Sequence, residues 1–262
     1  MSHTFAVPAF GRSPHLRACL DSIQRQSKND SAIVISTSTP SDFLDKVAKE
    51  YRVPLVVNPL HEGIGSDWNF ALSSSDAQFV TIAHQDDCYH PEYIARMFEA
   101  IGRHPNTVMA FSNSTEHTPA GPRNININLR IKRALITFAF GPREAISRPE
   151  DKQRLLTLGN PVCCPSVMIN RGLAPDFRFN NSMKSNLDWE AWSRLGLIPG
   201  EFLYLKTPLV SKGVHTESET SALIASQLRE EEDRQMFERF WPQPVAAAIT
   251  MVYKLGYRAN RI

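Results

Sequence analysis

Two adjacent carboxylates, Asp86 and Asp87, follow an apolar run at residues 80–83. Neighbouring carboxylates repel each other unless a positive charge compensates them. A hard divalent cation takes oxygen ligands and often bridges to substrate phosphates. The pair therefore predicts a site for Mg²⁺ or Mn²⁺ together with an anionic ligand. The alternative is that the two acids only form a turn or a cap before the helix that Pro91 is expected to start.

A second set of polar residues lies much later in the chain. Asp188 and Glu190 are neighbours of Trp189 and Trp192, and apolar surroundings raise the basicity of a carboxylate, as a general base requires. Acids in the first turn of a helix also serve simply to complement its dipole. His215 follows in a loop, where it is either a surface histidine or a group that ligates a metal or donates to a departing phosphate.

Composition narrows the class of protein. The chain has 262 residues, 42% of them hydrophobic, and a formal net charge of +2. This length suffices for one large domain or a domain with an appendage, and the balanced charge argues against nucleic acid as a partner. The four cysteines lack CxxC spacing, the N-terminal residues lack a signal-peptide pattern, and no run reaches the roughly 18 apolar residues of a membrane span. We therefore predict reduced thiols and a cytoplasmic location.

The first half of the chain alternates between short apolar runs and helical patterns. The runs are at residues 4–8, 32–35, 54–57 and 79–83. Such alternation predicts right-handed crossovers and a mostly parallel sheet, and ligands bind such sheets beyond the carboxyl ends of the strands. The Asp pair lies at that edge. Ser13 is predicted to cap the first helix and Ser66 the third, since Gly63-Ile64-Gly65 lacks the spacing of a phosphate-binding loop.

The second half is less regular. Residues 112–159 are turn-rich and basic, with one helix predicted at 129–140, and further strands are predicted at 108–111, 162–169 and 202–205. A helix is expected to open at Asp188. An acidic helix at about 221–240 is followed by a small amphipathic helix from Pro244. Its apolar side predicts either packing on the domain or shallow attachment to an anionic membrane surface.

In their order along the chain, these motifs resemble the family 2 glycosyltransferases, inverting enzymes with the GT-A fold. The similarity covers about residues 4–220, although residues 112–160 match little. The matching segments are Val7-Pro8-Ala9-Phe10-Gly11-Arg12-Ser13-Pro14, residues 58–72, residues 79–92, Pro165-Ser166-Val167-Met168, Asp188-Trp189-Glu190-Ala191-Trp192 and Val210-Ser211-Lys212-Gly213-Val214-His215.

The resemblance implies an α/β chain with a GT-A fold, in which helices flank a mostly parallel central sheet and a helical extension ends the chain. The implied glycosyltransferase domain is 1–215, with a nucleotide-binding half at 1–111 and an acceptor-side half at 112–215. The extension is 216–262. The implied activity is transfer of a sugar, with inversion, from a nucleotide-diphosphate sugar to an acceptor hydroxyl during synthesis of a cell-surface polysaccharide or glycan.

The resemblance also implies what individual residues do. Asp87 and His215 would hold Mn²⁺ or Mg²⁺, with His215 helping to stabilise the leaving diphosphate. Asp86 would contact the ribose or a metal-bound water, and Asp188 would be the catalytic base. The nucleotide pocket would be lined by Pro8, Phe10, Arg12, Ser36 and Asp67.

Three positions depart from the family pattern. Ser36-Thr37-Ser38-Thr39 stands where the family commonly has an acid that contacts the nucleobase. His84-Gln85 stands where a further Asp commonly precedes the doublet. Leu187 replaces the acid that usually precedes the base. These departures leave the nucleobase open and weaken the inference of a metal.

The expected partners are a nucleotide-diphosphate sugar donor and a saccharide or lipid-linked saccharide acceptor. The acceptor is expected near the basic residues 122–154, and residues 244–262 are expected to contact the inner face of the plasma membrane. Two other classes stay open. One is a non-catalytic module that binds a nucleotide sugar or a partner protein. The other is a nucleotidyltransferase, which is disfavoured because no Gly- and Lys/Arg-rich triphosphate loop follows the first strand.

Overall fold

The structure, a computed structural model, describes residues 1–28, 30–215 and 228–255 of the chain. Its strands are β1 (His3–Pro8), β2 (Ala32–Thr37), β3 (Leu55–Val57), β4 (Phe79–Ile82), β5 (Cys88–Tyr89), β6 (Thr107–Thr118), β7 (Gly121–Arg123), β8 (Ala145–Ile146), β9 (Val167–Asn170) and β10 (Glu201–Gly213). Its helices are α1 (Leu16–Gln24), α2 (Asp42–Tyr51), α3 (Ile64–Ser73), α4 (Tyr93–Arg103), α5 (Ile127–Phe140), α6 (Pro149–Leu156), α7 (Leu187–Leu195), α8 (Leu228–Glu238) and α9 (Gln243–Leu255).

One central sheet runs in the order β3-β2-β1-β4-β9-β6-β10-β5, with β7 paired to β6 and β8 to β10. The first four strands in this order, β3, β2, β1 and β4, are parallel to their neighbours. They correspond to the four apolar runs in the alternating half of the sequence. β9 is antiparallel to both of its neighbours, while β6 and β10 are parallel to each other. The predicted α/β class, with a central sheet flanked by helices, is confirmed. Beyond β4 the sheet is mixed.

The buried strands explain why the first half could be interpreted from its pattern. Phe5, Ala6 and Val7 of β1 are fully buried, as are Val80 and Thr81 of β4. Side chains of a strand that is covered on both faces are apolar at successive positions, not alternate ones. β1 and β4 are therefore the buried strands that support the Asp pair.

Two predicted helix caps are wrong. α1 begins at Leu16 after His15, and Ser13 Oγ instead accepts a hydrogen bond from the His15 N–H at 3.2 Å. α3 begins at Ile64, which places Ser66 inside its first turn and leaves Gly63, at φ 91°, as the residue before the helix. A left-handed φ of this kind favours glycine. The helix therefore begins after Gly63, earlier than a cap at Ser66 would place it.

The less regular half contains more structure than its pattern indicates. β6 extends from Thr107 to Thr118 and forms a hairpin with β7, and α5 begins at Ile127, two residues before the predicted helix. The strand predicted at 162–169 is only partly correct. A short 3-10 turn at Cys164–Ser166 precedes β9, because Pro165 has no N–H to contribute to a strand ladder.

The described part of the C-terminal extension packs into the core. Met236 and Phe237 of α8 and Ala246 of α9 are fully buried in a cluster that contains Trp189. The Phe237 and Trp189 rings meet edge to face at 5.0 Å. The predicted acidic helix is thus present as α8 from Leu228, and its residues 221–227 lie outside the described residues. Within the described residues, no helix combines the length and apolar character needed to cross a membrane.

Candidate active site

The Asp pair lies directly beyond the carboxyl end of β4, which runs parallel to β1. Asp87 is 1% exposed, and its Oδ1 accepts a hydrogen bond from the Gly213 N–H at 2.7 Å. Gly213 ends β10 and approaches the pair so closely that a Cβ there would overlap the carbonyl oxygen of Asp86. The sheet therefore brings the end of β10 against the acids, and only glycine permits that contact.

Two histidines complete the cluster. His215 Nε2 lies 3.0 Å from Asp86 Oδ2, across 129 positions of sequence. His84 Nδ1 lies 3.4 Å from Asp87 Oδ2, and its ring stacks on Trp68 with centroids 4.9 Å apart. His84, Asp86 and Asp87 each offer one ligand atom, and these three atoms lie within 4.8 Å of one another. Sequence reasoning missed His84 as a ligand, although an imidazole two positions before Asp86 is a common metal donor.

The residues of this cluster fit a divalent cation. Among the described residues no hydrogen bond reaches Asp87 Oδ2 or His84 Nε2, although both atoms are buried. Buried polar atoms are nearly always hydrogen-bonded. These two atoms lack a hydrogen bond and are therefore available to ligate, with Oδ2 lying 3.4 Å from His84 Nδ1. One imidazole and two carboxylates form a donor set that suits Mn²⁺ and, with water, Mg²⁺.

The pKa of Asp87 is shifted by its burial and by its charged neighbours. Burial raises the pKa of Asp87, and the neighbouring Asp86 raises it further, whereas the contact with His84 lowers it. A cation placed between the two carboxylates would relieve both effects. The protein therefore holds Asp87 where its charge needs a partner.

The candidate base lies at the start of α7. Asp188 is half-buried; its Oδ1 accepts from the Trp189 N–H at 2.8 Å and its Oδ2 from Asn160 Nδ2 at 2.9 Å. Burial raises its pKa, while the Trp189 N–H and the cations Arg229, Lys132 and Lys212 lower it. These two hydrogen bonds fix the orientation of the carboxylate.

Glu190, the other acid of this helix, has a different environment. Its buried carboxylate pairs with Arg194 at 2.9 Å and with Arg239 at 3.2 Å. Arg194 lies one turn further along α7 and Arg239 follows α8, so Glu190 is engaged in ion pairs within the helix and with the C-terminal extension. The geometry therefore favours Asp188 over Glu190 as a base.

The two halves of the site face one region. Burial raises the pKa of the Cys164 thiol, and the charges of Asp188 and Asp87 raise it further. Lys212 favours the ionised form of both carboxylates. Cys164 and Lys212 therefore both lie within electrostatic range of the two acids.

The start of α7 is held by a side chain from the C-terminal extension. Glu232 of α8, 4% exposed, accepts hydrogen bonds from the N–H groups of Lys184, Ser185 and Asn186 at 2.7, 2.7 and 2.9 Å. A carboxylate that accepts several backbone N–H groups before a helix satisfies donors which would otherwise be unpaired, and it complements the helix dipole. Asp188, in the first turn of α7, is therefore positioned in part by Glu232, which lies 48 positions beyond Lys184.

Replacing Glu232 by Ala is expected to lower the free energy of unfolding by about 3 kcal/mol, because three buried N–H groups lose a charged acceptor. Urea denaturation would measure the loss. Glu231, next to it, is an exposed partner of Arg234, so Glu231→Ala provides the matched control and should leave the midpoint unchanged. Equal midpoints for the two variants would contradict this reading of Glu232.

The predicted nucleotide residues gather at the carboxyl ends of β1 and β2. Pro8 and Ser36 are register partners across the two strands, and Ser36 Oγ is buried without a hydrogen-bond partner among the described residues. Phe10 is 62% exposed and Arg12 is also exposed, in the loop that follows β1. Asp67 lies nearby on α3. The structure thus brings this set to one edge of the sheet, beside the Asp pair.

Hydrogen bonds hold the Ser36–Thr39 segment, where the acid that commonly contacts the nucleobase in the family is missing. Asp67 accepts from Ser38 Oγ and from Asn58 Nδ2, each at 2.9 Å. An acid is therefore present beside the Ser36–Thr39 segment, but α3 supplies it. Gln85, which stands near the position of the family's further Asp, accepts from the Phe10 N–H at 3.2 Å. It links the loop after β1 to the Asp pair.

The four cysteines are free thiols, and Cys163 and Cys164 are buried. Burial raises the pKa of the Cys163 thiol. The two buried thiols lie just before β9, at the 3-10 turn. No disulfide stabilises the described residues.

The parallel strands β3, β2, β1 and β4 thus lie next to an Asp–Asp–His cluster. The family model described as Glycosyl transferase family 2 matches residues 4–174, and the chain belongs to this family. Glycosyltransferase GlyA of Streptococcus pneumoniae is 26% identical over 103 residues, which cover 37% of this chain and 15% of that protein. An uncharacterized glycosyltransferase of Haemophilus influenzae is 23% identical over 101 residues, which cover 38% of this chain and 34% of that protein. These alignments span about a third or less of the relatives.

Solved structures show the same GT-A fold. S. aureus TarS 1–349 in complex with UDP-GlcNAc superposes with a TM-score of 0.65 at 16% identity, covering 95% of this chain and 70% of that one. Mannosyltransferase PcManGT from Pyrobaculum calidifontis, in complex with GDP-Man and Mn²⁺, gives 0.61 at 14% identity and covers 99% and 70%. The expected family and fold are therefore confirmed.

Proposed function

We propose that this chain transfers a sugar from a nucleotide-diphosphate donor to an acceptor hydroxyl, with inversion at the anomeric carbon. The observation that carries the proposal is the closure of the end of β10 on the Asp pair. There the Gly213 N–H binds Asp87 and His215 binds Asp86. Support for the donor comes from TarS and PcManGT, whose structures contain UDP-GlcNAc and GDP-Man.

In this proposal the donor lies along the edge formed by β1, β2 and β4. Phe10 packs on the base, Pro8, Arg12 and Ser36 line the pocket, and Asp67 fixes its polar edge. Asp86 contacts the ribose or a metal-bound water.

His84, Asp86, Asp87 and His215 would hold the divalent cation, Mn²⁺ or Mg²⁺. Such an ion, when bound, neutralises charge that develops on a departing diphosphate. Among the protein's own groups, the Gly213 N–H keeps Asp87 in place and Lys212 adds positive charge beside the pair. His215 would help to stabilise the leaving diphosphate.

Asp188 would act as the general base. The acceptor oxygen attacks the anomeric carbon from the face opposite the diphosphate, and its proton passes to the Asp188 carboxylate. The bond from the anomeric carbon to the diphosphate oxygen breaks, and the nucleoside diphosphate leaves with the electron pair. A single displacement of this kind inverts the anomeric centre.

The acceptor and the location remain part of the proposal. We place the acceptor, a saccharide or lipid-linked saccharide, near the basic residues 122–154, in synthesis of a surface polysaccharide or glycan on the cytoplasmic side of the membrane. In α9, Val245, Met251 and Val252 are 42%, 72% and 68% exposed, which supports contact of residues 244–262 with the membrane. Residues 256–262, with Arg258 and Arg261, lie outside the described residues.

The test is a panel of nucleotide sugars assayed for release of nucleoside diphosphate with Mn²⁺, together with thermal unfolding in the presence of the same nucleotides. A ligand that binds the folded state raises its melting temperature. We expect one donor to give both stabilisation and turnover. Stabilisation without turnover on any donor would favour the non-catalytic binding module, and release of pyrophosphate from a triphosphate would favour a nucleotidyltransferase.

The pH dependence of kcat/KM should report on Asp188. A base acts when deprotonated, and burial raises the pKa of this carboxyl above its ordinary value. Activity is therefore expected to fall on acidification at a higher pH than an exposed aspartate would give. Rate measurements across the acid range, with thermal unfolding at each pH as a control for stability, would show this limb. A flat profile down to the ordinary aspartate range would contradict the assignment.

A further inference from the structure

The solvent-facing side of α5 is apolar. Ile127, Ile131 and Phe138 follow one another at helical spacing and are 58%, 50% and 62% exposed. Ala134 and Arg130 occupy the same exposed side. The opposite side is buried in the core through Leu129, Ile136, Ala139 and Phe140. A helix on the surface of a globular protein ordinarily exposes polar residues to water. Because α5 has apolar residues on its exposed side as well, we expect a second apolar surface to cover that side.

The apolar surface continues beyond both ends of the helix. Ile125, just before α5, is 73% exposed. At the other end, Phe138 borders a groove of about 580 Å³ that is also lined by Leu158 and Trp241. Leu158 is 42% exposed. Contiguous exposed apolar side chains of this extent mark an interaction surface.

Charge around this surface selects its partner. Residues 117–143 contain five Lys or Arg and no Asp or Glu, although Arg123 and Arg143 pair with Glu116 and Asp151, and Lys132 lies on the inner side of α5. Arg130 lies on the exposed side of α5, and the Arg154 guanidinium lies over the Phe138 ring at 5.8 Å. Cations close to an anionic lipid surface are attracted to it. Apolar side chains set among cations match the headgroup and acyl boundary of an anionic bilayer.

We propose that the α5 face, defined as Ile125, Ile127, Ile131, Phe138 and the adjoining groove, docks on an anionic lipid bilayer with the helix in the plane of the headgroups. The docking goes beyond the proposed transfer reaction and does not depend on it. Lys132, on the inner side of the same helix, lies within electrostatic range of Asp188. Docking through α5 would therefore bring the acceptor side of the site to the bilayer surface.

The experiment is co-sedimentation of the full chain with vesicles of phosphatidylcholine alone or mixed with phosphatidylglycerol. We expect binding to the mixed vesicles that weakens with added salt. Ile131→Glu and Phe138→Glu should each weaken it by about tenfold, which corresponds to 1.4 kcal/mol. Leu173→Glu is the matched control, since Leu173 is 39% exposed in the turn after β9, at the amino ends of β4 and β6.

Several outcomes would overturn the proposal. They are no binding to mixed vesicles, equal binding to both vesicle types, and unchanged binding of both α5 variants. If Ile131→Glu instead splits a dimer on size exclusion, the face is an interface between copies of this chain. Met251→Glu tests α9 separately. Because the α5 variants should keep their melting temperature and their stabilisation by nucleoside diphosphate, failure of the docking is distinguishable from failure of the transferase proposal.

Discussion

Replacing Asp188 by Asn is expected to lower the rate of sugar transfer by about 10²- to 10⁴-fold, the range over which general bases contribute, while donor binding persists. The carboxylate is held by the Trp189 N–H and by Asn160 Nδ2. An amide at position 188 can still accept from the Trp189 N–H, but it cannot take the acceptor's proton. Initial rates and the melting temperature with nucleoside diphosphate would separate the two effects.

This substitution also has a structural cost that must be measured. Asn160 Oδ1 accepts from the Val162 N–H at 3.1 Å, so the Asn160 amide cannot turn freely to accept from a new amide at position 188. A small drop in stability is therefore expected. Glu190→Gln is the matched control on the same helix. It should lower stability, because Arg194 and Arg239 lose their charged partner, yet retain activity per folded molecule. The reverse pattern would identify Glu190 as the base.

Replacing Asp87 by Asn is expected to abolish stabilisation by Mn²⁺ and to remove metal-dependent transfer. The amide keeps an oxygen that can accept from the Gly213 N–H, so the end of β10 should stay in place. What is lost is the negative charge of a buried ligand, and a neutral amide compensates a divalent ion poorly. Calorimetric titration with Mn²⁺ measures binding without any substrate. A shared loss in binding and activity is the expected result.

The control for the metal prediction is Asp76→Asn, since Asp76 is an exposed acid before the amino end of β4, away from the site. It should leave both Mn²⁺ binding and transfer unchanged. Asp87→Ala adds a further comparison, because it leaves the Gly213 N–H without its acceptor at a cost of about 1–3 kcal/mol. Metal-dependent activity that survives both Asp87 substitutions would show the assignment of Asp87 to be wrong.

Much of this site could be predicted because its residues follow local rules. The apolar run before Asp86 marks a buried strand, and parallel strands end at one edge of a sheet. His215 and Asp188 could be proposed from their order in the chain. Their contacts could not, since the 3.0 Å approach of His215 to Asp86 depends on the register of β10 against β6. Position in sequence carries no information about such distances.

Other features were missed for a similar physical reason. Glu232 resembles any acid in a charged helix, and only the packing of α8 against α7 shows that it caps three N–H groups. In α9, Ala246 is buried and Ile249 packs against the core, whereas Val245 and Val252 are exposed. The amphipathic pattern could not show which apolar residues of this helix the core would cover, because that depends on how α9 docks.

The contact between Glu232 and the start of α7 has a consequence for the order in which the protein matures. Synthesis proceeds from the N-terminus, so β1, β4 and the Asp pair leave the ribosome well before α8. Until Glu232 emerges, the N–H groups of residues 184–186 lack their acceptor, and the start of α7, which carries Asp188, lacks this support. Under the proposed function, a nascent chain would bind nucleotide before it transfers a sugar, and transfer would begin only when α8 docks.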